Sequence, residues 1–223
     1  MSDSRWPQID VLEQLTSPRR LERIDGVLDR RIVSVTAVFE DIFDPHNVSA
    51  GLRTCEGYGL ADVHVITQQD DYKLGGDVAA SSSRWLNVHR YRDTPSCIDR
   101  LRDDGFAIWV SDLEAEEPLA ELPVAGKIAL IIGHEHTGIS ETMRAAADQR
   151  YILPMQGMVQ SFNLSVALAI SLQTVVSVRR EQLGGKGDMD LEQQWQMRRR
   201  WLEFPIRNAK LVRREYGETE VDQ

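Results

Sequence analysis

The stretch IVSVTAVFEDIFDPHNVSAGLRTCEGYGLADVHVIT, residues 32–67, decides the fold. Its opening run, 32–39, is almost wholly apolar or β-branched and reads as a strand. Asp44-Pro45 then places an N-cap acid before a proline at the first helical position, which opens a helix running to about Tyr58. Gly57 and Gly59 end it. DVHVIT, 62–67, is a second strand, so the stretch is one strand–helix–strand unit.

The same alternation continues outward. A Gly-rich turn at Gly75-Gly76 precedes a short strand at 85–91, a helix at 94–104 and a strand at 106–110. An acidic loop, 112–126, gives way to KIALII at 127–132, a turn from Gly133 to Gly138 and a helix to about Ala147. RYIL, 150–153, is the last strand, and an apolar helix runs from Phe162 to about Arg180. Alternating strands and helices predict an α/β fold, a mainly parallel sheet with helices on both faces. On the amino side, 8–31 reads as an arginine-bearing helix interrupted near Pro18. On the carboxyl side, a flexible link at 184–187 leads to helical segments 189–203 and 205–215, separated by Pro205. Three parts are therefore expected: an N-terminal helical extension (1–31), an α/β domain (32–183) and a basic C-terminal helical extension (184–223).

Composition narrows the class. With 223 residues, 42% hydrophobic and 27% charged, the chain is of ordinary globular make-up and long enough for a full core. Cys55 and Cys97 make neither a disulfide framework nor a CxxC pair, which fits a reducing cytoplasm. The first residues lack the apolar core of a secretory signal. The stretch 162–178 is broken by Asn163, Ser165, Ser171, Gln173 and Thr174, so it reads as a buried helix and not a membrane span. A net charge of -9 argues against a nucleic-acid partner, but its distribution is uneven. Residues 99–121 hold eight acids against two arginines, whereas 198–214 hold seven bases against Glu203 alone. The alternative to an RNA surface is a set of solvated helix faces.

Familiar nucleotide and hydrolase signatures are missing: there is no GxxxxGK[ST], no GxGxxG and no GxSxG. His134 and His136 are two apart on a turn, but no third metal ligand is placed by sequence, and no metal is expected. Polar residues at element ends mark three segments, where α/β folds build sites. PHNVSAGLRTCEG (45–57) holds Asn47 and Arg53; LIIGHEHTG (130–138) holds Glu135; ILPMQGMVQSFNLSVALAI (152–170) holds Ser161 and Asn163. Each has a plainer reading. Asn47 and Ser161 could be helix caps, Glu135 a dipole partner for the helix starting near Ile139, and Arg53 a surface base.

Taken together and in this order, the three segments resemble the three motifs of the SpoU class of knotted (SPOUT) methyltransferases. Asn47 and Arg53 match the first, GHEHTG with Glu135 the second, and LPMQGMVQSFNLSVA with Ser161 and Asn163 the third. The resemblance spans about 15–180, is greatest to the branch acting on guanosine riboses of tRNA, and departs at His134, His136 and Phe162. It implies a C-terminal trefoil knot and an S-adenosylmethionine-dependent transfer of a methyl group to a ribose 2′-hydroxyl of a D-loop guanosine in tRNA. Relatives acting on ribosomal RNA, and a non-catalytic RNA-binding module, are the alternatives. It also implies catalytic roles for Arg53, Asn47, Glu135, Ser161 and Asn163, and cofactor contacts at Ser111, Gly133, Leu153, Met158 and Phe162. RNA contacts are expected from Arg19, Arg20, Arg23, Arg84, Arg198, Arg199 and Arg200, with no membrane association and a homodimer formed through the knot region.

Overall fold

The structure is a computed structural model and describes residues 5–7, 10–68 and 82–215. The expected turn at Gly75-Gly76 lies outside them. Chain contacts divide the molecule into two compact units: 32–185, and the two terminal segments 1–31 and 186–223 together.

The larger unit is built on six parallel strands: β1 (Val35–Glu40), β2 (Asp62–Ile66), β3 (Asn87–Tyr91), β4 (Phe106–Ser111), β5 (Lys127–Ile132) and β6 (Gln149–Tyr151). Their order across the sheet is β3-β2-β1-β5-β4-β6. α2 (Pro45–Tyr58), α3 (Thr94–Asp103) and α4 (Glu141–Ala145) connect strands, α5 (Leu164–Gln182) follows β6, and α1 (Pro18–Leu28) precedes β1 in the chain and belongs to the other unit. The bounds of α2 follow its capping residues: Asp44 accepts from the His46 amide, and Gly59 closes the helix at φ 82°.

Alternation of side chains assigns the two faces. Val35, Ala37 and Phe39 of β1 face one way with Val63, Val65, Ile128 and Leu130, and are covered by Val48 and Leu52 of α2 and Leu168 and Leu172 of α5. Val38, Ile108, Val110, Ala129 and Ile131 face the other way, under Cys97 and Leu101 of α3 and Met143 of α4. All of β1 is buried, as expected of a strand inside a doubly covered parallel sheet. Cys55 and Cys97 are on opposite faces, both as free thiols. Among the described residues, no helix is long and apolar enough to cross a membrane.

The terminal segments form a helical unit with its own interior. A 3-10 turn (Val11–Leu15), α1, α6 (Leu191–Glu203) and α7 (Ala209–Glu215) bury Leu12, Ile24, Leu28, Met197, Trp201 and Leu202. The link is less free than its glycines suggest: Gly187 donates to the Asp29 carbonyl, and a Cβ there would lie 2.1 Å from the Arg31 carbonyl oxygen. The interior also contains charge. Arg198 is only 2% exposed, with Nη1 2.7 Å from Glu13 and Nε 2.7 Å from Asp25. Its guanidinium also lies 4.9 Å from the Trp6 ring centre. This corrects the expectation that Arg198 meets RNA, because a side chain so enclosed has no free face for a phosphate. Arg213, in the same basic stretch, is bonded to Asp10 and Glu203.

Candidate active site

Three segments distant in sequence meet at the carboxyl ends of the strands. Asn47, in the first turn of α2, donates from Nδ2 to Glu135 Oε1 at 2.8 Å across 88 residues of chain. Asn163 donates from Nδ2 to Asn47 Oδ1 at 3.1 Å across 116 residues. The carboxylate also accepts two backbone amides, that of Phe43 on Oε2 at 3.0 Å and that of Asp44 on Oε1 at 3.3 Å. Partial burial by itself would raise the Glu135 carboxyl, but the hydrogen bonds from Asn47 and from nearby backbone amides outweigh it and hold the group below its ordinary value.

The plainer readings of these side chains fall to other residues. Asp44, not Asn47, caps α2. Ser140 caps α4, so Glu135 is left to bind α2. Asn163, not Ser161, caps α5 through its Oδ1, while its amide nitrogen reaches Asn47. Arg53 is exposed on α2, and Ser161 is exposed in the loop before α5; both stand outside the chain of amides and carboxylate formed by Asn47, Glu135 and Asn163. His134 Nδ1 accepts the amides of His136, at 3.0 Å, and Thr137, at 3.4 Å, so that nitrogen serves the turn. Among the described residues no three metal-ligating side chains converge.

The expected cofactor residues follow three adjacent strands, β5, β4 and β6. Ser111 ends β4 in register with Tyr151 of β6, and its side chain bonds to the buried Tyr151 hydroxyl. Gly133 follows β5 in a turn so close that a Cβ would lie 2.4 Å from the Gly138 oxygen. Leu153 packs against the core, whereas Met158 and Phe162 are exposed. Among the described residues no backbone hydrogen bond ties 153–162. A stretch of backbone amides and carbonyls with no partner in the sheet, beside a bare glycine turn, suits a ligand held by backbone groups, so the residues fit S-adenosylmethionine.

Two further residues belong to this end of the sheet. Glu40 closes β1 at 2% exposure, accepting from the Thr94 hydroxyl at 2.7 Å and from Ser140 Oγ at 2.6 Å, and so ties the starts of α3 and α4. An acid at the end of an apolar strand was the signal available for it. Phe43, the second, has no signal in its own residue type.

A parallel α/β sheet with a polar relay and a backbone-lined loop at its strand ends defines an enzyme that handles a ligand there. Comparison with known proteins makes this specific. Residues 34–173 match the model of the SpoU rRNA Methylase family. The tRNA (guanosine(18)-2′-O)-methyltransferase of Borreliella burgdorferi is 38% identical over 79% of this chain and 81% of its own. That of Thermus thermophilus is 33% identical over 72% and 83%. The crystal structure of the A. aeolicus TrmH/SpoU tRNA modifying enzyme superposes with a TM-score of 0.77 at 25% identity, over 89% of this chain and 100% of that one. The chain belongs to the SpoU family and is a methyltransferase that uses S-adenosylmethionine. That sets aside the non-catalytic alternative.

Proposed function

We propose that the chain methylates the ribose 2′-hydroxyl of a D-loop guanosine in tRNA, as the names of its relatives state of guanosine 18. The observation that carries the catalytic part is the Asn47–Glu135–Asn163 relay, which draws all three motif segments to one point. S-adenosylmethionine, when bound, supplies an electrophilic methyl group on sulfur. The backbone at Ser111, Gly133, Leu153, Met158 and Phe162 would hold it. The chain's own task is to place the ribose oxygen in line and to help its proton leave. Arg53, exposed two turns beyond Asn47, acts as a clamp on the phosphate beside that ribose, since a guanidinium holds its proton at neutral pH and is a poor base. Asn47, Glu135, Ser161 and Asn163 orient the nucleotide around it.

The strand order supports a trefoil knot: the chain enters the sheet centre at β5, returns beyond β4 at β6, and comes back through α5 over β5 and α2. A homodimer through this region is supported by Val166, Ile170 and Val178, a line of exposed apolar residues on one side of α5, with Met158 and Val159 near its start. Arg19, Arg23 and Arg84 are exposed and suit phosphate contacts, with Arg20, Arg199 and Arg200 half-buried. The reduced cysteines suit the cytoplasm.

Unmodified tRNA transcripts incubated with protein and cofactor, then mapped for alkali-resistant linkages, test the reading. One resistant position in the D-loop is expected, lost in Arg53→Ala, with Arg53→Lys recovering little because a point charge cannot replace a fork. Methylation of ribosomal RNA alone, or of another tRNA loop, would overturn the substrate.

A further inference from the structure

Three aromatic rings stand at the rim of the site, outside the relay. Phe43 is 69% exposed, on the short connection between β1 and α2. Its ring centre is 6.2 Å from that of His134, which is 5.7 Å from that of His136. The rings are tilted, at 49° and 55°, so they do not cover one another's faces. His136 is exposed and His134 half-exposed. A phenyl ring left largely in water forgoes much of the stabilisation that burial would give it, and Phe43 is not part of either core cluster.

The placement is not loose. The Phe43 amide donates to Glu135 Oε2, and His134, next to Glu135 in sequence, is fixed by the two amides that its Nδ1 accepts. The same turn that presents the carboxylate therefore presents the rings.

We propose that Phe43, His134 and His136 form a shelf on which the base of the target nucleotide stacks. The inference rests on the reading of the chain as an RNA methyltransferase and adds how the base is received. Aromatic and imidazole faces are what unpaired bases lie on, whatever their sequence. A ribose held at Asn47 and Glu135 carries its base a few ångströms away, within reach of the rings. Strand order separates Phe43 from two of the three backbone cofactor segments: it follows β1, on the far side of β5 from β4 and β6, while His134 and His136 continue the turn that begins at the third, Gly133.

Because residue 43 reaches Glu135 through its backbone, the ring can be removed without breaking that bond. Phe43→Ala should raise the KM for tRNA about tenfold, within the range for one lost stack, and leave the affinity for S-adenosylmethionine within twofold. Phe43→Trp should restore tRNA binding and Phe43→Leu should not, since leucine is apolar but has no π face. A second readout needs no turnover. In the full-length protein saturated with S-adenosylhomocysteine, guanosine 5′-monophosphate should shift the ring resonances of Phe43 and His136, and ribose 5-phosphate should not. Absence of that difference, or an unchanged KM in Phe43→Ala, overturns the shelf while leaving methyl transfer intact. Ring shifts caused by S-adenosylhomocysteine itself would assign the rings to the cofactor and also overturn it. Ring shifts with guanosine monophosphate from a protein that methylates no RNA would instead sink the functional reading and keep the shelf.

Discussion

Glu135 accepts three hydrogen bonds: one from Asn47 and two from the backbone of the β1–α2 connection. All of them favour the ionised form, which is why its carboxyl sits below the ordinary value despite partial burial. An unfolded glutamate titrates near about 4.3. The folded group titrates lower, so its contribution to stability is complete above that unfolded value and is lost as pH falls through the folded one. Glu135→Gln should therefore be less stable than the parent at pH 7, by about 1 kcal/mol after allowance for solvent screening. The gap should shrink by pH 3. Urea midpoints of both proteins at the two pH values check this, and a gap independent of pH would remove the carboxylate's ionisation from the account. Transfer activity should fall in the variant even at pH 7, because a carboxamide turns a donor toward groups that are themselves donors.

At the scale of elements, the turn 133–138 joins β5 to the rest of the site, and its closure depends on the missing side chain at Gly133. Gly133→Ala should force the turn open and weaken S-adenosylmethionine binding at least tenfold by calorimetry. Gly57→Ala, in α2 with nothing within 4 Å of the added carbon, should bind normally and gain up to about 1 kcal/mol in stability. Equal behaviour of the two variants would show that the turn's tightness is immaterial. The bounds of α2 and the starts of β2, β4 and β5 were legible in the sequence because caps, glycines and β-branched runs are local signals. The first strand was read too early: Ile32 makes only an isolated bridge to Leu60, and the regular ladder starts at Val35. Asn47, Glu135 and Asn163 were legible as a motif, and their mutual hydrogen bonds were not, since 88 and 116 residues separate the partners. Arg198 was misread for the same reason. Counting seven bases in 198–214 does not see Glu13 and Asp25, which lie at the other end of the chain.

Over the whole molecule, charge is divided by unit. The terminal segments 1–31 and 186–223 hold 14 basic and 14 acidic residues, so the entire excess of nine acids falls within 32–185. On the proposed reading, RNA attraction would fall to the arginines of the balanced unit that remain exposed, among them Arg19, Arg23, Arg207 and Arg214. Arg198→Ala should cost the helical unit about 1.5–3 kcal/mol, since it leaves the partly exposed carboxylates of Glu13 and Asp25 without their shared cation. Under conditions where that variant stays folded, the salt dependence of RNA binding should match the parent's, whereas Arg207→Ala with Arg214→Ala should flatten it. A flattened slope in Arg198→Ala would return that side chain to the RNA surface. The pairing of the two ends also sets an order of events during synthesis. Residues 1–31 emerge from the ribosome first, yet Arg198 and Trp195, the partners of Glu13, Asp25 and Trp6, come only after the whole of 32–185 has been made. At roughly 5–20 residues per second, the first segment waits on the order of 10–40 s with its carboxylates and tryptophan uncovered. The sheet and its site can be complete within the nascent chain while the arginine-bearing unit is not, so a half-made copy meets the crowded RNA of the ribosome before its terminal helices have closed on one another.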